Sequence, residues 1–178
     1  MHPVEQFIDQ LTKQGLWEKQ LHLSRNEFLT VKGNRDTNMY YVLSGSLRVY
    51  VDDGLEEQII RLAYPRNIVA ALDSFLSGNP TDFYIQAIKH CVLNVISKTS
   101  FLQFVQSSAE NILVYNSILQ EAVLQSLERE KDILTVSPRE RYNRVLKRSP
   151  QLFQEIPLKY IASYLRMSPE TLSRIKKS

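Results

Sequence analysis

The stretch Tyr40-Tyr41-Val42-Leu43-Ser44-Gly45-Ser46-Leu47-Arg48-Val49-Tyr50 decides how the first half of the chain is read. Tyr41 and Leu43, then Leu47, Val49 and Val51, alternate with their neighbours, and Ser44-Gly45-Ser46 interrupts them with a turn signal. Two short strands joined by a tight turn are antiparallel. The pattern extends both ways: Phe28 and Thr30 with a turn at Lys32-Gly33-Asn34 upstream, then Asp53-Gly54, an apolar run at residues 59–63, and residues 84–97, rich in Ile, Val and aromatics, downstream. Short strands at frequent turns predict a compact antiparallel β-unit. Within it, residues 69–76 read as a short helix stopped at Gly78-Asn79-Pro80. Ahead of it, Val4, Phe7, Ile8, Leu11, Leu16 and Leu21 fall near one helical face, so residues 2–23 are predicted as helix, broken in two at Gly15.

Beyond residue 100 the strand signature is gone. Ile112, Tyr115, Leu119, Ala122, Val123, Leu127, Ile133 and Leu134 recur near a 3.6 period, with no Gly or Pro from Ser97 to Ser137, which predicts a helix of about 25 residues. Its apolar stripe either covers the β-unit or meets a second copy of itself. Glu128, Arg129, Glu130, Lys131 and Asp132 give it a charged end, read as an exposed exit with a boundary near Val136. Ser137-Pro138-Arg139-Glu140 then opens a new helix: Ser137 caps, Glu140 returns the bond, and Pro138 fits the first turn, where no intrahelical N–H is needed. Residues 157–165 and 168–177 form two more helices, joined by the very short Arg166-Met167. With Leu158, Ile161, Leu165, Leu172 and Ile175 apolar and the small Ala162 at the crossing, this is a helix-turn-helix pattern.

The 178 residues carry 22 Lys+Arg and 19 Asp+Glu, a net +3 that says little about partners. Residues 1–136 hold 12 against 16, a balance of −4, and residues 137–178 hold 10 against 3, a balance of +7. The basic excess falls on the helix-turn-helix and points to nucleic acid; the competing reading is a small bundle with a solvated basic face. On the last helix Leu172 and Ile175 turn inward, which leaves Pro169, Glu170, Ser173 and Arg174 outward at a spacing a major groove accepts. Arg174 fits guanine O6 and N7, and Glu170 fits cytosine N4 or orients Arg174 from four residues away. Ser168, Thr171, Lys159, Lys176 and Lys177 are the candidate phosphate contacts.

A single Cys excludes a disulfide framework, a four-cysteine cluster and a Cys-rich zinc site, and suits a reducing compartment. His2, His22 and His90 are scattered and Cys91 stands alone in an apolar strand, so neither a metal nor a cofactor is expected. Asp52, Asp53, Glu56 and Glu57 form an acidic hairpin with no His or Cys nearby in sequence, and the chain is not read as an enzyme. The first residues do not read as a signal peptide and no apolar run is long enough for a bilayer, so the expected address is the cytoplasm, away from membranes.

In the order of these units the chain resembles the Crp/Fnr family of bacterial transcription regulators over nearly its whole length. The resemblance rests on residues 40–50, the Asp53-Gly54 hairpin, a cassette at residues 66–87, the long helix at 100–134 and the helix-turn-helix at 158–177. It implies an α+β chain: a cyclic-nucleotide-binding-like antiparallel jelly roll as sensor (1–98), a long dimerisation helix (99–136), and a small all-α helix-turn-helix domain (137–178), here expected without the β wing that many members carry. It further implies a homodimer on a palindromic double-stranded operator, and an effector pocket at Ala70, Ala71, Leu72, Thr81 and Asp82. Members that bind cyclic AMP carry a Gly-Glu pair and an Arg in the cassette; an ungapped alignment puts Ala70-Ala71 and Thr81 there. Without that carboxylate and guanidinium, the resemblance argues against cyclic AMP and leaves the effector unknown. Arg61, Arg66 and Lys89 are candidate displaced cations, with plain surface charge as the competing reading. Members often have Gly in the tight turn where this chain has Arg166; a left-handed backbone there costs an Arg of order 1 kcal/mol. The alternative function is a ligand-binding or protein-interaction module with a vestigial helix-turn-helix.

Overall fold

The structure, a computed structural model, describes residues 3–177, so His2 and Ser178 lie outside the described residues. Helix α1 (Pro3–Lys13) buries Phe7, Ile8 and Leu11 and ends before Gly15. The helix expected to continue to residue 23 is instead strand β1 (Lys19–Leu23), paired with residues 91–95. Over five residues, apolar positions at 21 and 23 satisfy a strand as well as a helix, and the ladder to a distant partner decides between them.

Eight strands follow in two four-stranded antiparallel sheets. They are β1, β2 (Phe28–Thr30), β3 (Met39–Ser44), β4 (Leu47–Asp52), β5 (Glu57–Ala63), β6 (Ile68–Val69), β7 (Tyr84–Ala87) and β8 (Cys91–Ile96). One sheet has the order β1-β8-β3-β6 and the other β2-β7-β4-β5, the two halves of a jelly roll. Between them lies an apolar core that includes Val42, Leu47, Val49, Ile85 and Leu93. On β3 the buried face is Tyr40 and Val42, one residue out of phase with the expected alternation, and Leu43 is exposed. The irregular step after Val42 in the β3–β8 pairing accompanies that phase. Residues 84–97, expected as one strand, divide at residues 88–90 into β7 and β8, which belong to different sheets. Gly45 fixes this crossing: at φ +85°, a Cβ there would sit 2.1 Å from the His90 carbonyl oxygen.

Helix α2 (Leu72–Ser77) begins three residues later than expected, because Val69 is held by β3, and Gly78 caps it in the left-handed region. The long helix is divided too. Helix α3 (Lys98–Gln106) ends at Ser107, and α4 (Ala109–Leu134) starts from Ser108, whose hydroxyl accepts the Asn111 amide. No Gly or Pro marks the break; the two serines make it by bonding locally to the backbone, with Ser107 Oγ on the Phe104 carbonyl at 2.7 Å. Helix α3 packs Phe101 and Phe104 edge-on against Phe7. At 26 residues, α4 is about 39 Å long.

Helix α5 (Pro138–Arg148) starts at the expected Ser137 cap. Then come α6 (Leu152–Glu155), α7 (Leu158–Tyr164) and α8 (Pro169–Lys177). Ile161, Ala162, Leu165 and Leu172 are fully buried, but Leu158 is 41% exposed and Ile175 only partly covered. Leu158 opens α7 before the helix reaches its neighbour, and Val145, Leu152 and Ile156 fill the core in its place. Ile88, Leu62 and Tyr64 of the roll join this cluster, so the C-terminal helices rest on the β4–β5 side of the sandwich. Among the described residues, no helix is long and apolar enough to cross a membrane.

Candidate nucleic-acid interface and sensor cassette

Helix α7 ends in a complete Schellman turn. The Met167 amide donates to the Ala162 carbonyl and the Arg166 amide to Ser163, both at 3.0 Å, with Arg166 in the left-handed region at φ +56°. An Arg therefore occupies the position where Gly is unstrained. Two further arginines hold the turn. Arg141, buried in α5, donates from Nη1 to the Leu165 (2.6 Å) and Arg166 (3.1 Å) carbonyls, and from Nε and Nη2 to the Thr135 carbonyl (3.1 and 2.8 Å). Arg129 of α4 donates from Nη2 to the Tyr164 carbonyl at 2.6 Å and lies 3.7 Å from the centre of the Tyr164 ring. Three consecutive carbonyls at the end of α7 are thus gripped by guanidinium groups.

From this turn α8 projects with Leu172 inward and Glu170, Ser173, Arg174 and Lys177 along one face, three and four residues apart. Glu170, Arg174, Lys176 and Lys177 are exposed, as is Pro169. Ser168 caps the helix, accepting the Thr171 amide and bonding the Thr171 hydroxyl at 3.1 Å. The backbone around Glu170, then the Ser168 hydroxyl, lower the Glu170 pKa, so it is an anion at neutral pH. Lys159 stands at the start of α7, above the Tyr160 ring. Arg139 and Arg174 flank a cleft of about 400 Å³ between the start of α5 and α8. At α7 and the turn, Lys159, Arg166 and Ser168 share a groove of about 520 Å³ with Glu56 and Glu57 of the acidic hairpin. The hairpin therefore lies beside part of the basic surface, and Arg48 offsets some of its charge by pairing with Glu57.

The charged end of α4 is not the exposed exit expected. Asp132 is fully buried, with Arg144 Nε at 3.0 Å and Arg148 Nη2 on its other oxygen; Glu128 takes Arg144 and Lys131 at 2.8 and 2.7 Å. A hydrogen bond from Lys131, then its charge and those of Arg144 and Arg148, holds the Glu128 carboxyl below its ordinary pKa. The cluster fastens α4 to α5 across residues 135–137.

In the cassette, Ala71 and Thr81 are buried, while Leu72 and Asp82 are exposed. What joins them is Asp73, which sequence reasoning missed. Its carboxylate accepts the Thr81 hydroxyl at 2.7 Å and the Asp82 and Ser74 amides at 2.8 Å. Burial raises the Asp73 pKa, but the bonds from Asp82, Thr81 and Ser74 outweigh it and leave the group below its ordinary value. Thr81 is further tied to the neighbouring loop by its amide to Asn34 and its carbonyl to Gly33. Two of the candidate displaced cations are drawn elsewhere: Arg61 donates to Ser126 of α4 and Lys89 to the Glu155 carbonyl before α7. Cys91 is buried, which pushes its thiol pKa up to about 11. His22 stacks on His90, and among the described residues no three His, Cys, Asp or Glu side chains gather as a metal site.

The family model for the cyclic nucleotide-binding domain matches residues 20–108, half of the chain. The chain belongs to the cyclic nucleotide-binding domain family. Patatin-like phospholipase domain-containing protein 7 of Rattus norvegicus is 32% identical over 95 residues, 52% of this chain and 7% of that relative. The chain thus spans a small fraction of the curated relatives it matches. Solved structures resemble it over a longer stretch. FixK2 of Bradyrhizobium japonicum superposes with a TM-score of 0.73 at 14% identity, covering 89% of this chain and 82% of its own. The c-di-GMP-responsive global regulator CLP of Xanthomonas campestris gives 0.66 at 16% identity, covering 97% and 90%. The fold of a cyclic nucleotide-binding domain followed by a helical region is therefore shared well beyond residue 108.

Within the matched domain, the cassette presents an internal carboxylate, Asp73, to Thr81 and Asp82. The helical region adds a long helix whose Leu113, Val123, Leu124 and Leu134 are more than half exposed. Sequence reasoning missed Arg129 and Arg141. One signal was available for Arg141, which stands four residues before the buried Val145 on the inner face of α5.

Proposed function

We propose that the chain is a homodimeric DNA-binding transcription regulator of the Crp/Fnr type, not an enzyme, working in the cytoplasm. The observation that carries this reading is the helix-turn-helix itself: a complete Schellman turn delivering α8 with Glu170, Ser173, Arg174 and Lys177 on one outward face. Arg174 and Glu170, with Pro169 and Ser173 beside them, read base edges in the major groove. Lys159, Ser168, Thr171, Lys176 and Lys177 contact phosphate. CLP, whose fold this chain shares, is a global regulator, and that supports the same reading. Residues 1–98 form the sensor, 99–136 the dimerising segment and 137–178 the reading domain. The exposed apolar side of α4 meets its copy, and two-fold symmetry calls for a palindromic operator.

A ligand at Ala70, Ala71, Leu72, Thr81 and Asp82 would act by shifting α4. Cyclic AMP is a poor fit, because Asp73 already takes the Thr81 hydroxyl and the Asp82 amide and sets a negative charge against an incoming phosphate. DNA selected from a random pool and titrated by fluorescence anisotropy tests the assignment. Arg174→Ala should weaken binding by about 1–3 kcal/mol, with the wild-type affinity falling steeply as salt rises. Affinity that ignores both leaves the alternative, a ligand- or protein-binding module with a vestigial helix-turn-helix.

A further inference from the structure

Three links close a triangle around the reading domain. Asp132 of α4 pairs with Arg144 and Arg148 of α5. Arg141 of α5 holds the Leu165 and Arg166 carbonyls of the turn. Arg129 of α4 holds the Tyr164 carbonyl and covers the Tyr164 ring. Of the three, Arg129 also touches the sensor: the same Nη2 lies 3.3 Å from the Ile59 carbonyl of β5. One nitrogen therefore meets the long helix that bears it, the outer strand of one sheet and the end of the helix that precedes the turn.

The two arginines on the turn differ in how firmly they are held. Arg141 spreads four bonds over three carbonyls, two of them in the turn and one at the end of α4. Arg129 has both its carbonyl contacts on one nitrogen, while its Nε and Nη1 are buried without a hydrogen-bond partner among the described residues. A guanidinium taken out of water with two donors unmatched is a weak hold compared with one that is satisfied. Arg141 is held by bonds to the turn and to the end of α4, and Arg129 is the less satisfied of the two guanidinium contacts on the turn.

We propose that Arg129 is a positioning residue that couples the sensor sheet and the long helix to the turn carrying α8, so that a displacement of β5 or α4 re-aims the reading helix. The inference rests on the DNA-reading function proposed above. A Lys at this position keeps a charge and one donor to the Tyr164 carbonyl, but it has no planar group to cover the ring and bond two carbonyls from one nitrogen.

The test uses the full chain with Arg129→Ala and Arg129→Lys, in two arms. Hydrogen exchange of the amides at residues 164–168 should speed up about fivefold or more in Arg129→Ala, with Arg129→Lys between it and the wild type. On selected operators whose half-sites are moved one base pair apart or together, the wild type should discriminate between spacings. Arg129→Ala should lose about fivefold of that preference while its affinity for a single half-site stays the same. Turn amides that exchange as in the wild type, or spacing preference kept in full, overturn the proposal. So does acceleration spread evenly over α5, α7 and α8 with a lower melting point, which marks a merely structural residue. Absence of sequence-selective binding by the wild type brings down the DNA-reading function instead, and the exchange arm still decides the coupling.

Discussion

In the cassette, the Thr81 hydroxyl and the Asp82 amide are spent on Asp73, and Thr81 is 1% exposed. On α8, Glu170, Arg174 and Lys177 stand in solvent along one face. Both regions are short polar segments beside a helix start, and both were candidate binding sites. The difference is where their hydrogen-bonding capacity goes. A segment that satisfies itself gains fixed shape and has little left for a ligand, whereas one that leaves side chains to water keeps them for a partner. The inward pattern recurs at the junction of α4 and α5, where Asp132 is enclosed by Arg144 and Arg148.

Substitutions should divide along the same line: inward groups should move stability, and Arg174→Ala should leave it within about 0.5 kcal/mol while weakening DNA binding. The largest loss is expected for Asp132→Ala, about 3 kcal/mol in urea unfolding, because two half-buried guanidinium groups lose the buried carboxylate between them. A loss below about 1 kcal/mol would place this cluster with surface ion pairs and break the comparison. Asp73→Ala should come next, at about 2 kcal/mol, since it strands the buried Thr81 hydroxyl and removes the acceptor of two amides. The sign of its pH dependence follows from the lowered pKa. A carboxyl depressed in the folded state adds stability above its unfolded value, near pH 4, and that stability disappears as the pH falls through the folded value. The gap between wild type and Asp73→Ala should therefore narrow in acid; a gap that stays constant down to pH 2 would show that the charge of Asp73 is not what the cassette uses.

The legible parts of the chain were those with local causes. Ser137-Pro138 and Ser168-Pro169 announce helices by chemistry complete within four residues, and the alternation at Leu47 and Val49 needs only the pleat. What escaped depends on residues far along the chain. Lys19–Leu23 is a strand because residues 91–95 lie beside it, and Arg129 looks like one more charge until β5 and Tyr164 close around it. Asp73 passes for an ordinary first-turn acid until the loop at Thr81 folds back. The outward stripe on α8 was legible, because exposure on a helix is set by its own period once Leu172 is fixed inward.

The smallest effect concerns the turn that joins the two regimes. Arg166 adopts φ +56° with its carbonyl held by Arg141, while its side chain faces the groove shared with Glu56 and Glu57. Replacing it by Gly removes the left-handed penalty of about 1–2 kcal/mol borne by a side chain with a Cβ. It also loosens the unfolded chain, which takes back about 0.4–1 kcal/mol. The first quantity exceeds the second, so Arg166→Gly should stabilise the protein by roughly 0.5 kcal/mol, raising its melting temperature by about 1–2 °C. DNA binding should weaken slightly through the lost charge, uniformly across sequences, with a shallower salt dependence. A melting temperature that falls would mean that the Arg166 side chain itself holds the turn to the hairpin, and the division between inward and outward residues would then run through this residue rather than beside it.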